Sequence, residues 1–330
     1  MTQSDFSQPE TIPPTLNEKT FTFTSPDGTN IFVRTWSNST KIGTKGIVQI
    51  AHGMMEHSGR YRRLAAALTE ADYLVYANDH RGHGNTAPSL DALGNVCTDA
   101  LSLMVEDLHQ LTQIIREQNQ DLPIFLFGHS MGSFLAQKYI CSFGNEIHGV
   151  ILSGTSGKYG PIINLGIWLA HREMRNKGAN WKSRKLHQLT FGGYNKKFVP
   201  IRTEYDWLSR DTMEVNRYMN DPLCGTLFSC QFYYDFMRFL KKLHAYQNIS
   251  SIPKELPVFI FAGSNDPVSK NGKGILQLVR LYEQLGLKNI SYKLYQDGRH
   301  EMLNETNRDE VTTDIISWLN LAYLAHNNLS

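Results

Sequence analysis

Residues 128–132 form a Gly-His-Ser-Met-Gly pattern, G-x-S-x-G, which could carry nucleophilic catalysis by serine. This pattern typically forms a sharp turn between a strand and a helix and exposes the serine hydroxyl there. The apolar residues 124–127 precede it and a helical stretch over residues 133–143 follows it, which is the context that such a turn requires. We therefore predict that Ser130 is a nucleophile.

A serine hydroxyl needs a histidine to accept its proton and a carboxylate to orient that histidine. After a G-x-S-x-G turn, the acid comes next along the chain and the histidine last. Of the 12 histidines, His300 is the one that follows the last predicted strand and precedes the final helix. Asp266 follows the apolar residues 258–261, at the carboxyl end of a predicted strand. We predict Asp266 as the acid and His300 as the base, with Asp297 as the alternative acid.

The tetrahedral intermediate of acyl transfer needs two backbone N–H donors, which form an oxyanion hole. The residue after the nucleophile, Met131, is predicted to supply one donor. The other is expected from residues 52–59, His-Gly-Met-Met-Glu-His-Ser-Gly, which follow the first long apolar run and are called the oxyanion loop below. Met54 is the predicted donor in this loop.

No metal site and no cofactor is predicted. Residues 78–85 contain Asp79, His80 and His83, but their glycines and their position favour a hydrogen-bonded structural loop. The four cysteines form no C-x-x-C pair and have no metal-ligand spacing, so free thiols are expected and a single disulfide stays open. They are Cys97, Cys141, Cys224 and Cys230.

The elements that must position these residues alternate between apolar runs and helical stretches. Two alternating runs flank Asp27 and Gly28 and predict a β-hairpin. Strands are then predicted at residues 47–51, 74–77, 124–127, 150–152, 258–261 and 290–294, and helices at 61–70, 101–118, 133–143, 275–285 and 309–325. This alternation predicts an α/β fold with a mostly parallel, doubly wound sheet that begins with an antiparallel hairpin.

The chain is predicted to have three parts. Residues 1–18 are polar, carry three prolines and are expected to form a mobile tail. Residues 19–159 and 251–330 are expected to form the α/β core. About a hundred residues separate the predicted strands at 150–152 and 258–261, and this stretch is too long for a loop. Residues 160–250 are therefore predicted to be an inserted helical cap, called the inserted segment below.

Composition limits the class of protein. A 41% hydrophobic content supports a large core, and a net charge of +2 gives no general case for binding nucleic acid. Residues 1–20 have no apolar core of signal-peptide length, and no run of about 18 apolar residues occurs. We expect a soluble cytoplasmic protein and leave its oligomeric state open.

The chain resembles the monoglyceride lipase and bacterial lysophospholipase group of α/β-hydrolases, which is also grouped with serine aminopeptidase-like hydrolases. The resemblance covers most of residues 20–322 and rests on six motifs, at residues 52–61, 79–84, 128–132, 220–223, 263–266 and 298–301. It implies the α/β-hydrolase fold, a triad of Ser130, Asp266 and His300, donors at Met54 and Met131, and single-chain acyl ester substrates. Two places depart from the pattern: Met54-Met55, where the family often has a small residue and then glycine, and Ser133-Phe134, where small residues are common.

The predicted function is hydrolysis of a carboxylic ester of a single-chain lipid, a monoacylglycerol or a lysophospholipid, through an acyl-enzyme. Small-molecule carboxylester hydrolysis and aminopeptidase-like hydrolysis are the alternatives, and a non-catalytic binding module is a third. An aminopeptidase needs an acidic recess for the amine, whereas residues 171–202 contain nine Lys or Arg and one acid.

Basic and aromatic residues are mixed in the inserted segment, which suits transient docking on an anionic membrane surface. Apolar groups of this segment are expected to line an acyl-chain tunnel over Ser130.

Overall fold

A central sheet dominates the computed structural model, which describes residues 14–40 and 43–327. Within these residues the sheet has eight strands in the order β1-β2-β4-β3-β5-β6-β7-β8. The strands are β1 Leu16–Thr24, β2 Asn30–Asn38, β3 Gly46–Ala51, β4 Tyr73–Asn78, β5 Ile124–His129, β6 Gly149–Ser153, β7 Val258–Gly263 and β8 Ile290–Tyr295. Strand β2 runs antiparallel to β1 and β4, and the remaining pairs are parallel. The predicted mostly parallel sheet with an antiparallel hairpin is confirmed.

Helices cover both faces of the sheet. They are α1 Arg62–Glu70, α2 Ala100–Gln118, α3 Met131–Phe143, α4 Ile162–Lys177, α5 Arg184–Phe191, α6 Thr212–Asn220, α7 Cys230–Leu243, α8 Tyr246–Ile249, α9 Lys273–Gln284 and α10 Arg308–Asn327. Helices α1 and α10 contribute to one apolar layer, and α2, α3 and α9 contribute to the other. Successive β5 residues alternate between the layers, because Ile124 and Leu126 face one and Phe125 and Phe127 the other. This two-sided burial explains why the central parallel strands β5, β6 and β7 are mostly apolar.

The N-terminal tail is shorter than predicted. Strand β1 begins at Leu16, so residues 16–18 belong to the sheet and not to the tail. The Glu18 carboxylate accepts hydrogen bonds from Arg34 Nη1 at 2.7 Å and from Trp36 Nε1 at 3.0 Å, which attaches this polar residue to β2. The rest of the predicted tail, up to residue 13, lies outside the described residues.

The inserted segment is helical. Helices α4 to α8 lie between β6 and β7, and α7 packs on α2 and α3 of the core. Within the described part of the chain, no helix combines the length and the apolar character needed to cross a bilayer. The four cysteines are all unpaired.

The predicted chemical groups share one edge of the sheet. The oxyanion loop follows β3, Ser130 follows β5, Asp266 follows β7 and His300 follows β8. Because these strands are parallel, their carboxyl ends lie at the same edge and bring these segments together.

Candidate active site

Ser130 lies on a strained turn between β5 and α3. Its backbone has φ 50° and ψ −117°, a conformation that non-glycine residues rarely adopt. The Ser130 N–H donates to the Ser153 carbonyl at 2.9 Å, which fixes the turn against β6. A Cβ atom on Gly132 would collide with the Ala51 carbonyl oxygen, so α3 approaches β3 this closely only because the residue is glycine. Gly132 therefore permits the close packing of α3 on β3 that supports the turn at Ser130.

The imidazole of His300 contacts the carboxylate of Asp266. The distance from His300 Nδ1 to Asp266 Oδ1 is 2.9 Å, and both side chains are buried. The same carboxylate oxygen accepts the Val268 N–H at 2.9 Å. A carboxylate acceptor assigns the proton to Nδ1 and leaves the Nε2 lone pair of His300 as the basic site.

The pKa of His300 reflects two opposing effects. Burial lowers this pKa, but the negative charge of Asp266 and its hydrogen bond outweigh burial, so the pKa is raised above 6.5. The alternative acid, Asp297, is exposed and occupies a left-handed turn with φ 58°. The contact that could orient the imidazole is therefore made by Asp266.

Two aromatic side chains flank the His300 ring. The ring centroids of Trp207 and His129 lie 5.0 Å and 4.8 Å from that of His300. The backbone N–H of His300 also donates to the backbone carbonyl of Trp207 at 3.3 Å. Burial, together with the charge on His300, lowers the pKa of His129 to about 4, so His129 is neutral beside His300 at neutral pH.

The oxyanion loop passes over the nucleophile. A Cβ atom on Gly53 would lie 3.2 Å from Ser130 Cβ. The Gly53 N–H donates to Glu56 Oε1 at 2.5 Å, and Met54 lines the same cavity as Ser130 and His300. Met131 is the first residue of α3, where backbone N–H groups have no partner within the helix. The structure thus brings together all five residues that the sequence singled out.

The family model described as serine aminopeptidase, S33, matches residues 43–307. The chain belongs to this family. The predicted family resemblance is therefore confirmed, and the chain has a hydrolase fold of the α/β class.

Similar proteins cover nearly the whole of this hydrolase. The monoacylglycerol lipase of Mycolicibacterium smegmatis is 28% identical over 300 residues, which are 90% of this chain and 95% of that protein. Human monoglyceride lipase is 28% identical over 298 residues, 89% of this chain and 87% of that protein. The crystal structure of a carboxyl esterase from Bacillus coagulans in complex with glycerol matches with a TM-score of 0.85 and 30% identity, covering 93% and 99% of the two chains.

A buried charge network, which sequence reasoning missed, supports the site of this hydrolase. Arg60 donates to Glu56 Oε2 at 2.7 Å and to both carboxylate oxygens of Glu301 at 2.7 Å. Tyr61 also donates to Glu56 Oε1, at 2.8 Å. Burial raises the pKa of both glutamates, but Arg60 outweighs it and keeps both pKa values below 4.5. The network joins the oxyanion loop to Glu301, the residue after His300. In the sequence, the Glu-His-Ser-Gly-Arg-Tyr motif at residues 56–61 could have indicated it, but no role is predicted for this motif.

A second contact joins the oxyanion loop to the inserted segment. His57 Nε2 lies 3.0 Å from Asp221 Oδ2, and with Cys224 these side chains place three potential metal ligands within 4.8 Å of one another. The Gly59 N–H donates to His57 Nδ1 at 3.2 Å, so Nε2 carries the ring proton and donates it to Asp221. A hydrogen bond therefore accounts for the contact between His57 and Asp221.

Apolar side chains of the inserted segment close the site. The cavity that Ser130 and His300 line has a volume of about 20 Å³ and is covered by Phe191, Trp207, Leu208 and Tyr218. This volume accommodates about one water molecule, whereas ligand pockets typically measure about 300–1,000 Å³. The cavity is therefore too small for an acyl chain, and the expected acyl-chain tunnel over Ser130 is not open in this structure.

The outer surface of the inserted segment is apolar and basic. Ile162, Leu165 and Trp168 lie on one side of α4 and are 72%, 51% and 52% exposed. Basic groups contact the aromatic rings, with Arg172 lying 5.5 Å from the centroid of Trp168. Such a surface combines groups that favour a lipid interface.

Proposed function

We propose that this hydrolase cleaves the carboxylic ester of a single-chain lipid, a monoacylglycerol or a lysophospholipid. Ser130 is the nucleophile, His300 the base and Asp266 the acid, and the amides of Met54 and Met131 form the oxyanion hole. The 2.9 Å hydrogen bond between His300 and Asp266, beside the cavity that Ser130 lines, carries this proposal.

In the proposed reaction, His300 Nε2 accepts the Ser130 proton while the serine oxygen attacks the ester carbonyl carbon. The Met54 and Met131 amides donate to the oxyanion of the tetrahedral intermediate, an interaction that is worth about 10²–10³ in kcat per donor. The imidazolium then protonates the departing alcohol, and the acyl group stays on Ser130. A water molecule, deprotonated by His300, attacks the acyl-enzyme and releases the carboxylic acid and the free serine.

The inserted segment is proposed to be a cap over a core formed by residues 19–159 and 251–330. Its apolar residues Phe191, Trp207 and Leu208 cover Ser130, which favours an acyl chain over a polar substrate. The names of the similar bacterial and human enzymes, which refer to monoacylglycerol, support the same substrate class.

We propose further that the cap docks transiently on an anionic membrane surface. The exposed residues Ile162, Leu165 and Trp168 would enter the interface, and nearby basic side chains would each contribute about 1 kcal/mol. The unpaired cysteines suit a reducing compartment such as the cytoplasm, from which the protein would act peripherally.

Vesicle flotation tests the docking proposal. Leu165→Ser should weaken binding to anionic vesicles about 10-fold, and high salt should weaken wild-type binding. Leu324→Ser is the matched control, because Leu324 is 55% exposed on α10 and Leu165 is 51% exposed on α4. Equal binding to anionic and neutral vesicles, or equal effects of the two substitutions, would contradict docking through this surface.

A small-molecule carboxylesterase is the second candidate. The small closed cavity and the similarity to the Bacillus coagulans carboxyl esterase favour it. Aminopeptidase activity is disfavoured, because the buried carboxylates of Glu56 and Glu301 are both paired with Arg60 and are not available to a substrate amine.

A substrate panel decides between these activities. Purified protein should be assayed with monoacylglycerols, lysophospholipids, nitrophenyl esters of increasing acyl length and aminoacyl anilides. We expect the highest kcat/KM for long-chain lipid esters, and labelling by a fluorophosphonate that Ser130→Ala abolishes. A maximum at the acetyl ester would favour the carboxylesterase, and labelling that survives Ser130→Ala would refute the proposed nucleophile.

A further inference from the structure

Met55 has an unfavourable backbone conformation next to the proposed oxyanion donor. It is buried and has φ 62°, in the left-handed region that bulky side chains avoid. It directly follows Met54 and precedes Glu56, whose carboxylate binds the Gly53 N–H. The conformation of Met55 therefore determines the path of the oxyanion loop between Gly53 and Glu56. Contacts from other residues must stabilise this unfavourable conformation.

Two groups of the inserted segment hold the Met55 carbonyl oxygen. The Gly225 N–H donates to it at 3.0 Å. The Tyr218 hydroxyl donates to it at 3.1 Å, across a sequence separation of 163 residues. Both donors belong to the inserted segment, because Tyr218 lies near the end of α6 and Gly225 lies in the turn that follows it.

The Tyr218 side chain is itself held firmly. Its ring lies beneath the Arg60 guanidinium, 4.9 Å from the ring centroid, and 5.0 Å from the ring of Tyr205. The Gly225 N–H also donates to the Tyr218 hydroxyl at 3.2 Å. Burial raises the pKa of Tyr218 well above 10, so the hydroxyl keeps the proton that it donates to Met55.

We propose that Tyr218 is a positioning residue for the oxyanion hole. Its hydroxyl, together with the Gly225 N–H, holds Met55 in the left-handed conformation and so keeps the Met54 amide where the tetrahedral intermediate forms. The inference rests on the proposed function, because it assigns the Met54 amide to that intermediate.

Tyr218→Phe tests this role. The change removes one hydroxyl and leaves the Met55 carbonyl bonded to Gly225, so the protein should fold. Loss of one hydrogen bond that acts in the transition state should lower kcat about 10-fold with little change in KM. Tyr233→Phe is the matched control: Tyr233 is a buried tyrosine of α7 whose hydroxyl lies 3.4 Å from His187, and its kcat should stay within about 2-fold of wild type.

Two further readouts separate positioning from a merely structural effect. The inhibition constant of an alkyl trifluoromethyl ketone, whose hemiketal oxyanion occupies the hole, should rise by the same factor as kcat/KM falls. In a Met55→Gly background, glycine adopts the left-handed conformation without strain, so Tyr218→Phe should then cost less than about 3-fold. If thermal melting shows that Met55→Gly is unfolded, Met55→Asn replaces it, because asparagine also tolerates this conformation.

The inference is overturned if Tyr218→Phe behaves like Tyr233→Phe, if it changes only KM, or if its cost is the same in both backgrounds at position 55. If Ser130→Ala retains full activity, the proposed function fails instead, so the two failures are distinguishable.

Discussion

Replacing Arg60 by methionine tests whether the buried charge network supports the site. The side chains of Arg60, Glu56 and Glu301 are 11%, 4% and 7% exposed, and Arg60 contacts each glutamate at 2.7 Å. Methionine retains much of the apolar stem but leaves two carboxylates buried without a cation. Removing one partner of a buried ion pair typically costs about 3–5 kcal/mol.

The expected change in melting temperature follows from chain length. Unfolding entropy is about 2.1 cal/mol/K per residue near 60 °C, or about 0.7 kcal/mol/K for a chain of this size. A loss of about 3–5 kcal/mol therefore lowers Tm by about 4–7 °C. Arg116→Met is the control, because Arg116 is 43% exposed and its pair with Glu146 at 3.2 Å is a surface pair. Its substitution should lower Tm by about 1 °C or less.

The pH dependence of this stability loss tests whether the two buried glutamates cause it. In the wild type, burial raises the pKa of Glu56 and Glu301, but Arg60 outweighs burial and lowers both. Their contribution to stability is therefore present above pH 4.5 and lost as pH falls below it. Without Arg60, the guanidinium no longer opposes burial, which is the largest cause acting on both groups. Both pKa values should therefore rise, so the folded variant should gain protons and relative stability as pH falls.

The deficit of Arg60→Met should accordingly be small near pH 5 and largest near pH 8, measured by urea unfolding of both proteins at each pH. The double variant Arg60→Met/Glu301→Gln should recover part of the loss at pH 8, because it removes one unpaired charge. A deficit of equal size at both pH values, or one no larger than that of Arg116→Met, would refute the reasoning.

Three further predictions concern catalysis. Asp266→Asn should lower kcat about 10⁴-fold while Asp297→Asn leaves it within about 2-fold, and the reverse order would assign the acid to Asp297. Ester kcat/KM should rise with pH and reach half its maximum above pH 6.5, because the neutral form of His300 acts as base and its pKa is raised; a midpoint below 6.5 would contradict this. Trp207→Ala should raise kcat/KM for dodecanoyl relative to acetyl nitrophenyl ester by about 10-fold, because the smaller side chain opens the cavity; an unchanged ratio would show that Trp207 does not restrict acyl entry.

The sequence predicts where Ser130, Asp266 and His300 lie in the fold, because each belongs to a short local motif that follows a predicted strand. Their catalytic roles stay predictions. The central strands β5, β6 and β7 are equally predictable, because residues that are buried on both faces of a sheet give mostly apolar runs. The tail boundary was wrong because Glu18 is polar in sequence, yet β2 supplies partners for its carboxylate. Local pattern carries no information about such a partner.

The contacts between the inserted segment and the core were not predictable. Tyr218 lies on a helix whose sequence pattern gives its exposed face but not which core loop it contacts. Its bond to Met55 depends on how α6 docks, as does the pair between His57 and Asp221. In the sequence, Met54-Met55 is only a departure from the small residues that are usual there. The structure shows that the Met55 carbonyl oxygen accepts hydrogen bonds from Tyr218 and Gly225.

The backbone at Ser130 has a consequence for selection. A residue with φ 50° and ψ −117° stores roughly 1–3 kcal/mol of strain, and glycine would relieve much of it. A population of variants that is selected for thermal resistance alone, with no screen for turnover, should therefore accumulate Ser130→Gly early, although it destroys the proposed nucleophile. Under the proposed function, the position at which this chain gives up stability is also the position of its nucleophile, so heat resistance and catalysis would compete there for a single side chain.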